Sequence, residues 1–212
     1  MSRRTRIKFC GLTREQDIED AVTLGVDALG FVMWAPSGRS LSAAALASLT
    51  PRVPAFVTRV GLFVDPSEEE VGACLPHLDL LQFHGNESPE FCARFGRPWI
   101  KALRMRDDLD LHASARAFDG AQALLLDAYR PGVPGGTGET FDWERIPAGL
   151  SKPVILAGGL TPQNAARAIT QVAPYALDVS GGIEASRGIK SADKMAAFVA
   201  QVAQGDRLRS AP

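Results

Sequence analysis

The chain has 212 residues, 46% of them apolar and 22% charged, with 23 basic against 24 acidic side chains and a net charge of −1. That length suits one domain, or two small ones, with a core that needs neither disulfides nor metals, and the balanced charge gives no electrostatic basis for binding nucleic acid or an anionic membrane. Cys10, Cys74 and Cys92 are odd in number and form no CxxC pair, which argues against a disulfide framework and fits a reducing, cytoplasmic setting.

No apolar stretch follows the basic first six residues, so no leader is expected, and no run is long enough to span a bilayer. Instead, eight short apolar runs recur at residues 7–10, 28–33, 60–64, 80–83, 99–103, 123–126, 154–157 and 176–179. Most are continuous rather than alternating, the pattern of parallel strands covered on both faces. Parallel strands need crossovers, and helix-like segments fill most of the gaps. Thr13-Arg14-Glu15-Gln16 and Ser67-Glu68-Glu69-Glu70 read as capping boxes. Ser88-Pro89 and Thr161-Pro162 read as a cap followed by proline at the first helical position. A last helix over about 192–202 carries Met195, Phe198, Val199 and Val202 at core spacing, and the polar residues from Gln204 onward are expected to fray. Eight β–α units in this length predict a single (β/α)₈ barrel domain over 1–205 followed by a polar tail over 206–212. The competing doubly wound sheet lacks its G-x-G-x-x-G turn.

In a barrel the chemistry belongs at the C-terminal strand ends and the loops that follow them. Cys10 ends the first run and could be a general base, a nucleophile or a small buried hydrophobe. Arg39, after Ser37-Gly38 in the second loop, could clamp a carboxylate with its planar fork or sit on the surface. Asp65 before Pro66 could order a loop, and His84 ends the fourth run, either as a substrate contact or as a structural histidine. Asp127 follows three leucines, where a carboxylate is costly unless paired or functional, and is a general-acid candidate. The glycine- and proline-rich loop over 129–141 is long enough to suggest function. Gly158-Gly159 after the seventh run and Ser180-Gly181-Gly182 after the eighth offer backbone amides to a phosphate. Asp178 is either a substrate contact or a structural acceptor, and Lys190 either steers the phosphate or, more simply, is solvated. His77, His84 and His112 have no metal-ligand spacing, so no metal site is expected.

Taken together, Lys8-Phe9-Cys10-Gly11-Leu12-Thr13, Val60-Gly61-Leu62-Phe63-Val64-Asp65, Leu81-Gln82-Phe83-His84-Gly85, Leu125-Leu126-Asp127-Ala128, Gly135-Gly136-Thr137-Gly138, Leu156-Ala157-Gly158-Gly159-Leu160 and Asp178-Val179-Ser180-Gly181-Gly182-Ile183-Glu184 resemble the motifs of the phosphoribosylanthranilate isomerases, in order and over nearly the whole chain. The resemblance implies an Amadori rearrangement in tryptophan biosynthesis, with Asp127 as acid and Cys10 as base and no cofactor. It also implies that Arg39 meets the anthranilate carboxylate and that the two glycine loops hold the phosphate; His84, Asp178 and Ser180 join them as substrate-binding candidates from their positions at the strand ends. The partner is then a small phosphosugar, and the protein a monomer or homodimer. The related histidine-pathway isomerases resemble this pattern but generally place an aspartate where Cys10 stands. A redox-sensor role for Cys10 would need a resolving thiol close by, and the sequence offers none locally.

Overall fold

Each of the eight apolar runs is a strand: β1 (Arg6–Cys10), β2 (Ala28–Val32), β3 (Thr58–Phe63), β4 (Leu80–Phe83), β5 (Trp99–Arg104), β6 (Leu124–Asp127), β7 (Val154–Leu156) and β8 (Ala176–Val179) in a computed structural model that describes residues 4–128 and 140–210. They pair in parallel in chain order, and β8 returns to β1 with Lys8 opposite Asp178, so the barrel is closed. Closure explains the continuous apolar runs, because both sides of every strand are covered. Ile7, Phe9, Leu29, Phe31, Leu81 and Phe83 share one cluster with Ile18, Leu46, Val71 and Phe198 of the surrounding helices. Ile100, Ala102, Ala123, Leu125, Ile155, Ala157 and Ala176 form a second cluster, the filling of the barrel.

The helices are α1 (Glu15–Thr23), α2 (Ala43–Leu49), α3 (Glu68–Cys74), α4 (Pro89–Ala93), α5 (Leu111–Ala117), α6 (Ala165–Val172) and α7 (Ala192–Ser210). Between β6 and β7 the described residues hold one 3₁₀ turn, Trp143–Arg145. The glycine-rich loop expected there falls largely on 129–139, outside the described residues. After β8 comes a 3₁₀ turn, Gly181–Ile183, and a small hairpin, β9 (Glu184–Ser186) with β10 (Ile189–Lys190). Phe83 holds α4 in place: its ring centroid lies 5.9 Å from Phe91 and 6.0 Å from Phe95, within the range of favourable aromatic pairs. Among the described residues no helix is long and apolar enough to cross a membrane.

The caps at Ser67, with its reciprocal Glu70, and at Ser88 form as the sequence predicts. Three terminal expectations are corrected. Thr13 does not cap α1; the helix starts two residues later behind Arg14, and the Thr13 hydroxyl donates to the Gly188 carbonyl at 2.7 Å, tying the first loop to the β9–β10 hairpin. Thr161-Pro162 does not open α6, which starts at Ala165 behind Asn164, and the Asn164 side chain accepts from the Thr161 amide instead. Gln204 to Ser210 do not fray. α7 continues to Ser210 because Gly205 packs on α6 and Asp206 accepts from the Thr5 amide at 2.8 Å and hydroxyl at 2.6 Å. Those tertiary bonds override a polar composition that favours fraying on its own.

Candidate active site

Strand direction decides which side chains meet. Lys8 and Cys10 lie two apart on β1 and therefore project to one side; Gln82 on β4 is followed two residues later by His84 just past the strand end, and Asp178 on β8 by Ser180 just past its end. The parallel order puts all the C-terminal ends at one rim, so Cys10, His84, Asp127 and Ser180 share that rim although 170 residues separate the first from the last. Cys10 on β1 and Asp127 on β6 stand three strands apart one way around the barrel and five the other.

Around Cys10 the side chains are charged and tightly tied. Lys8, buried, donates to Asp178 at 2.8 Å. The expectation of a solvated Lys190 is corrected: it is buried, and its Nζ donates to the Cys10 carbonyl at 2.6 Å, the Ser180 carbonyl at 3.1 Å and the Glu184 carboxylate at 3.1 Å. The β9–β10 hairpin, invisible as a β unit in the sequence pattern, folds Lys190 back into the rim. Arg39 reaches from the β2 loop across Gly11 and past Ser180, and its Nε and Nη2 clamp Glu184 at 2.6 and 2.8 Å. The bidentate geometry read for Arg39 is therefore present, with an internal carboxylate on one edge of the fork; Nη1 is left on the other edge. Burial pushes the Cys10 thiol up, Lys8 and Lys190 pull it back, and Asp178 adds to the rise, so that the net direction is upward. Burial would also raise the Glu184 carboxyl, but Arg39 and Lys190 outweigh it and hold Glu184 below its ordinary value.

Around Asp127 the side chains are polar but incompletely paired. Asp127 is buried, and its Oδ1 accepts from the Ala128 amide at 2.9 Å. His84 Nε2 lies 3.2 Å from Asp127 Oδ2, yet out of line for a hydrogen bond. Arg104, opposite Asp127 in the β5–β6 register, donates from Nη2 to the His84 carbonyl at 3.2 Å. His84 Nε2, Gln82 Oε1 and Arg104 Nε are buried without a hydrogen-bond partner among the described residues. Buried polar atoms are ordinarily paired, and these three, His84 Nε2 among them at 3.2 Å from Asp127 Oδ2, mark this end of the barrel as a place for a polar ligand. A cavity of 380 Å³ opens next to them, lined by His84, Asn86, Arg104 and Arg106 among others.

The two glycine loops join these halves. A Cβ at Gly158 would stand 2.9 Å from Asp127 Oδ1, which places the β7 loop against the acid. A Cβ at Gly182 would fall 1.9 Å from the Leu160 carbonyl, so only glycine lets the β8 loop seat on the β7 loop. Thus Gly158, Gly159, Ser180, Gly181 and Gly182 form one continuous lip between Asp127 and Arg39. Asp178 sits below the lip on Lys8, the structural-acceptor reading of that residue. Asp65 orders its loop, accepting from the Asn86 amide, while its own amide donates to Glu87. Cys74 and Cys92 are buried in helices. Sequence reasoning gave no role to Lys8, Glu184 or Arg104. The signal for Lys8 was available: two residues before Cys10 on a strand, it had to share the inner face.

A (β/α)₈ barrel that buries a thiol and a carboxylate at one rim, with a glycine lip between them, is the frame of an enzyme that isomerises by moving protons. The family described as N-(5′-phosphoribosyl)anthranilate (PRA) isomerase matches residues 7–201. The N-(5′-phosphoribosyl)anthranilate isomerase of Chromohalobacter salexigens is 65% identical over 199 residues, covering 94% of each chain. The solved phosphoribosylanthranilate isomerase of Thermotoga maritima is 33% identical with a TM-score of 0.86, over 94% of this chain and 99% of that one. A second solved isomerase, in complex with reduced 1-(o-carboxyphenylamino)-1-deoxyribulose 5-phosphate, is 30% identical with a TM-score of 0.80, over 94% of this chain and 99% of that one. The chain belongs to the N-(5′-phosphoribosyl)anthranilate isomerase family.

Proposed function

We propose that the chain converts N-(5-phosphoribosyl)anthranilate to 1-(2-carboxyphenylamino)-1-deoxy-D-ribulose 5-phosphate, the isomerisation that serves tryptophan biosynthesis, with Asp127 as acid and Cys10 as base. The observation that carries the reading is a buried thiol at the end of β1 and a buried carboxylate at the end of β6, on the same rim of the barrel. Asp127 gives its proton to the furanose ring oxygen. The C1′–O bond breaks as the anthranilate nitrogen lone pair forms a Schiff base. Cys10 then takes the proton from C2′, the electron pair fills the C1′–C2′ bond and neutralises the iminium nitrogen, and the enolamine tautomerises to the ketone. A thiol pushed up by burial is a poor base at rest, but the cationic Schiff base is an opposite charge beside it and favours the thiolate when it is needed. Proton relay between two placed groups needs neither metal nor organic cofactor.

The glycine lip over Gly158, Gly159, Gly181 and Gly182, with Ser180, is suited to the substrate phosphate through backbone amides. His84, flanking Asp127, is suited to a sugar or carboxylate oxygen, and Asp178 serves the substrate through Lys8. Arg39 offers its second edge to the anthranilate carboxylate. Arg39→Ala is accordingly expected to raise KM by about 10- to 100-fold, the worth of hydrogen bonds to a charged group, with kcat little changed; steady-state kinetics at saturating substrate check this, and an unchanged KM removes Arg39 from the site. A setting in the cytoplasm fits three unpaired cysteines. The Thermotoga maritima relative is described as dimeric, so monomer and homodimer are the states to be distinguished for this chain.

The test is turnover of freshly generated phosphoribosylanthranilate, followed by loss of its fluorescence, with EDTA present. Rapid loss with the wild-type protein supports the reading and its independence of metal. No loss with folded protein rejects it and leaves the glycine lip as a site for another phosphosugar.

A further inference from the structure

Lys8 is a charged residue in the wall of a barrel whose filling includes Ile100, Ala102, Leu125 and Ile155. Burying an ammonium costs several kcal/mol unless it is well paired, and replacing such a pair by apolar groups is often neutral or stabilising. Its place in the fold therefore calls for a reason other than stability. Lys8 and Cys10 project from β1 to the same side, and both are buried. Gly30 lies opposite Cys10 in the β1–β2 register. A Cβ at Gly30 would stand 2.8 Å from Cys10 Sγ and 2.9 Å from Lys8 Nζ, so the sulfur and the ammonium flank one point and the missing side chain gives them room. Asp178, opposite Lys8 in the β1–β8 register, anchors the ammonium from the other side at 2.8 Å.

We propose that Lys8, held by Asp178, is a positioning residue for the isomerisation: it is the resident counter-ion of the Cys10 thiolate. The inference rests on the reading of Cys10 as the base. The groups that act on the sulfur from the elements around it are Lys8 on its own strand, Asp178 on β8, Lys190 on β10 and Arg39 from the β2 loop; β2 contributes only Gly30. Of the cations, Lys8 acts most strongly. Burial alone would lower the Lys8 ammonium, but Asp178 and the Cys10 sulfur outweigh it and hold Lys8 above its ordinary value, so it stays charged wherever the enzyme works. Lys190 cannot take over this duty. Its donors are committed to the Cys10 carbonyl, Ser180 and Glu184, and burial depresses it.

The experiment is the pH dependence of Cys10 alkylation by iodoacetamide, read by mass spectrometry of the peptide that carries Cys10, in wild type, Lys8→Arg, Lys8→Met and Lys8→Met/Asp178→Asn. Removal of the cation is expected to move the alkylation midpoint upward by about one unit or more, the size of shift an adjacent opposite charge produces, and Lys8→Arg is expected to stay near wild type. Turnover at neutral pH should fall at least about tenfold in Lys8→Met, one unit of proton affinity being a factor of ten, with KM nearly constant and activity recovering as pH rises. The double variant leaves no lone buried charge, and it decides the question if Lys8→Met does not fold. An unmoved midpoint in a folded variant overturns the proposal. Because alkylation is read without substrate, a shifted midpoint supports the pair even if the wild-type protein proves inactive, an outcome that would overturn only the functional reading.

Discussion

Asp127→Asn and Cys10→Ala are each expected to lower kcat by about 10²- to 10⁴-fold, the range over which a positioned acid or base contributes, while KM stays close to wild type. Asparagine is nearly isosteric with aspartate and keeps an oxygen for the Ala128 amide and a fit against Gly158, so the barrel is not disturbed. It has no proton of suitable acidity for the ring oxygen. Alanine at position 10 leaves the β1 backbone and the carbonyl that receives Lys190 in place, and removes only the sulfur. A loss confined to kcat and kcat/KM is the signature of groups used in the transition state rather than in binding. Steady-state fluorescence assays on both variants, with thermal melts to show that they fold, make the check. Raised KM with preserved kcat, or kcat within about tenfold of wild type in both, would remove the assigned roles. The pH profile carries a sign as well. The reactive form of Cys10 is the thiolate and burial pushes the thiol up, so wild-type kcat/KM is expected to rise with pH through that transition and to lose the rise in Cys10→Ala.

The sequence patterns that located this site are of two kinds. Continuous apolar runs betrayed all eight strands because a barrel covers both faces of each one, and their ends pointed to Cys10, His84, Asp127 and the two glycine loops. Chemistry at a strand end is legible because the fold constrains where it can be. What could not be read was pairing across the barrel. Lys8 meets Asp178 170 residues away, and Arg39 meets Glu184 145 residues away; neither partner is marked in the local pattern. The helix starts at Thr13 and Thr161 were misplaced as well. At Thr13 the distant Gly188 carbonyl takes the hydroxyl, whereas at Thr161 the competitor is local, the Asn164 side chain three residues on accepting from the Thr161 amide. The C-terminal residues look frayed until Asp206 is seen on Thr5, 201 positions away. Lys190 looked like an ordinary surface lysine, because a two-residue strand such as β10 has too little sequence to announce that it turns inward.

That lysine carries the second large effect, on stability rather than turnover. Lys190→Met is expected to destabilise the fold by about 3 kcal/mol, the low end of the cost of breaking a buried ion pair from one side. The low end applies because Arg39 continues to neutralise Glu184 after the substitution. What loses its bond from Lys190 is the Cys10 carbonyl, which methionine fills against without bonding, while the Ser180 carbonyl keeps the Ile183 amide at 3.4 Å. For a chain of this size a loss of about 3 kcal/mol lowers Tm by roughly 6–12 °C. Lys190→Met/Glu184→Gln should not recover that loss, since it also takes the carboxylate away from the Arg39 guanidinium. Acid sensitivity gives an independent view of the same contact. The folded-state proton affinity of Glu184 is depressed, so its stabilising contribution is complete above the unfolded carboxyl value of about 4.3 and is lost as pH falls through the lower folded value. Glu184→Gln should therefore flatten the fall in Tm on acidification below that point. A Lys190→Met protein that melts within about 2 °C of wild type would mean that the strap joining β1, β8 and the β9–β10 hairpin contributes less than about 1 kcal/mol, and that Cys10 is positioned by the strand alone.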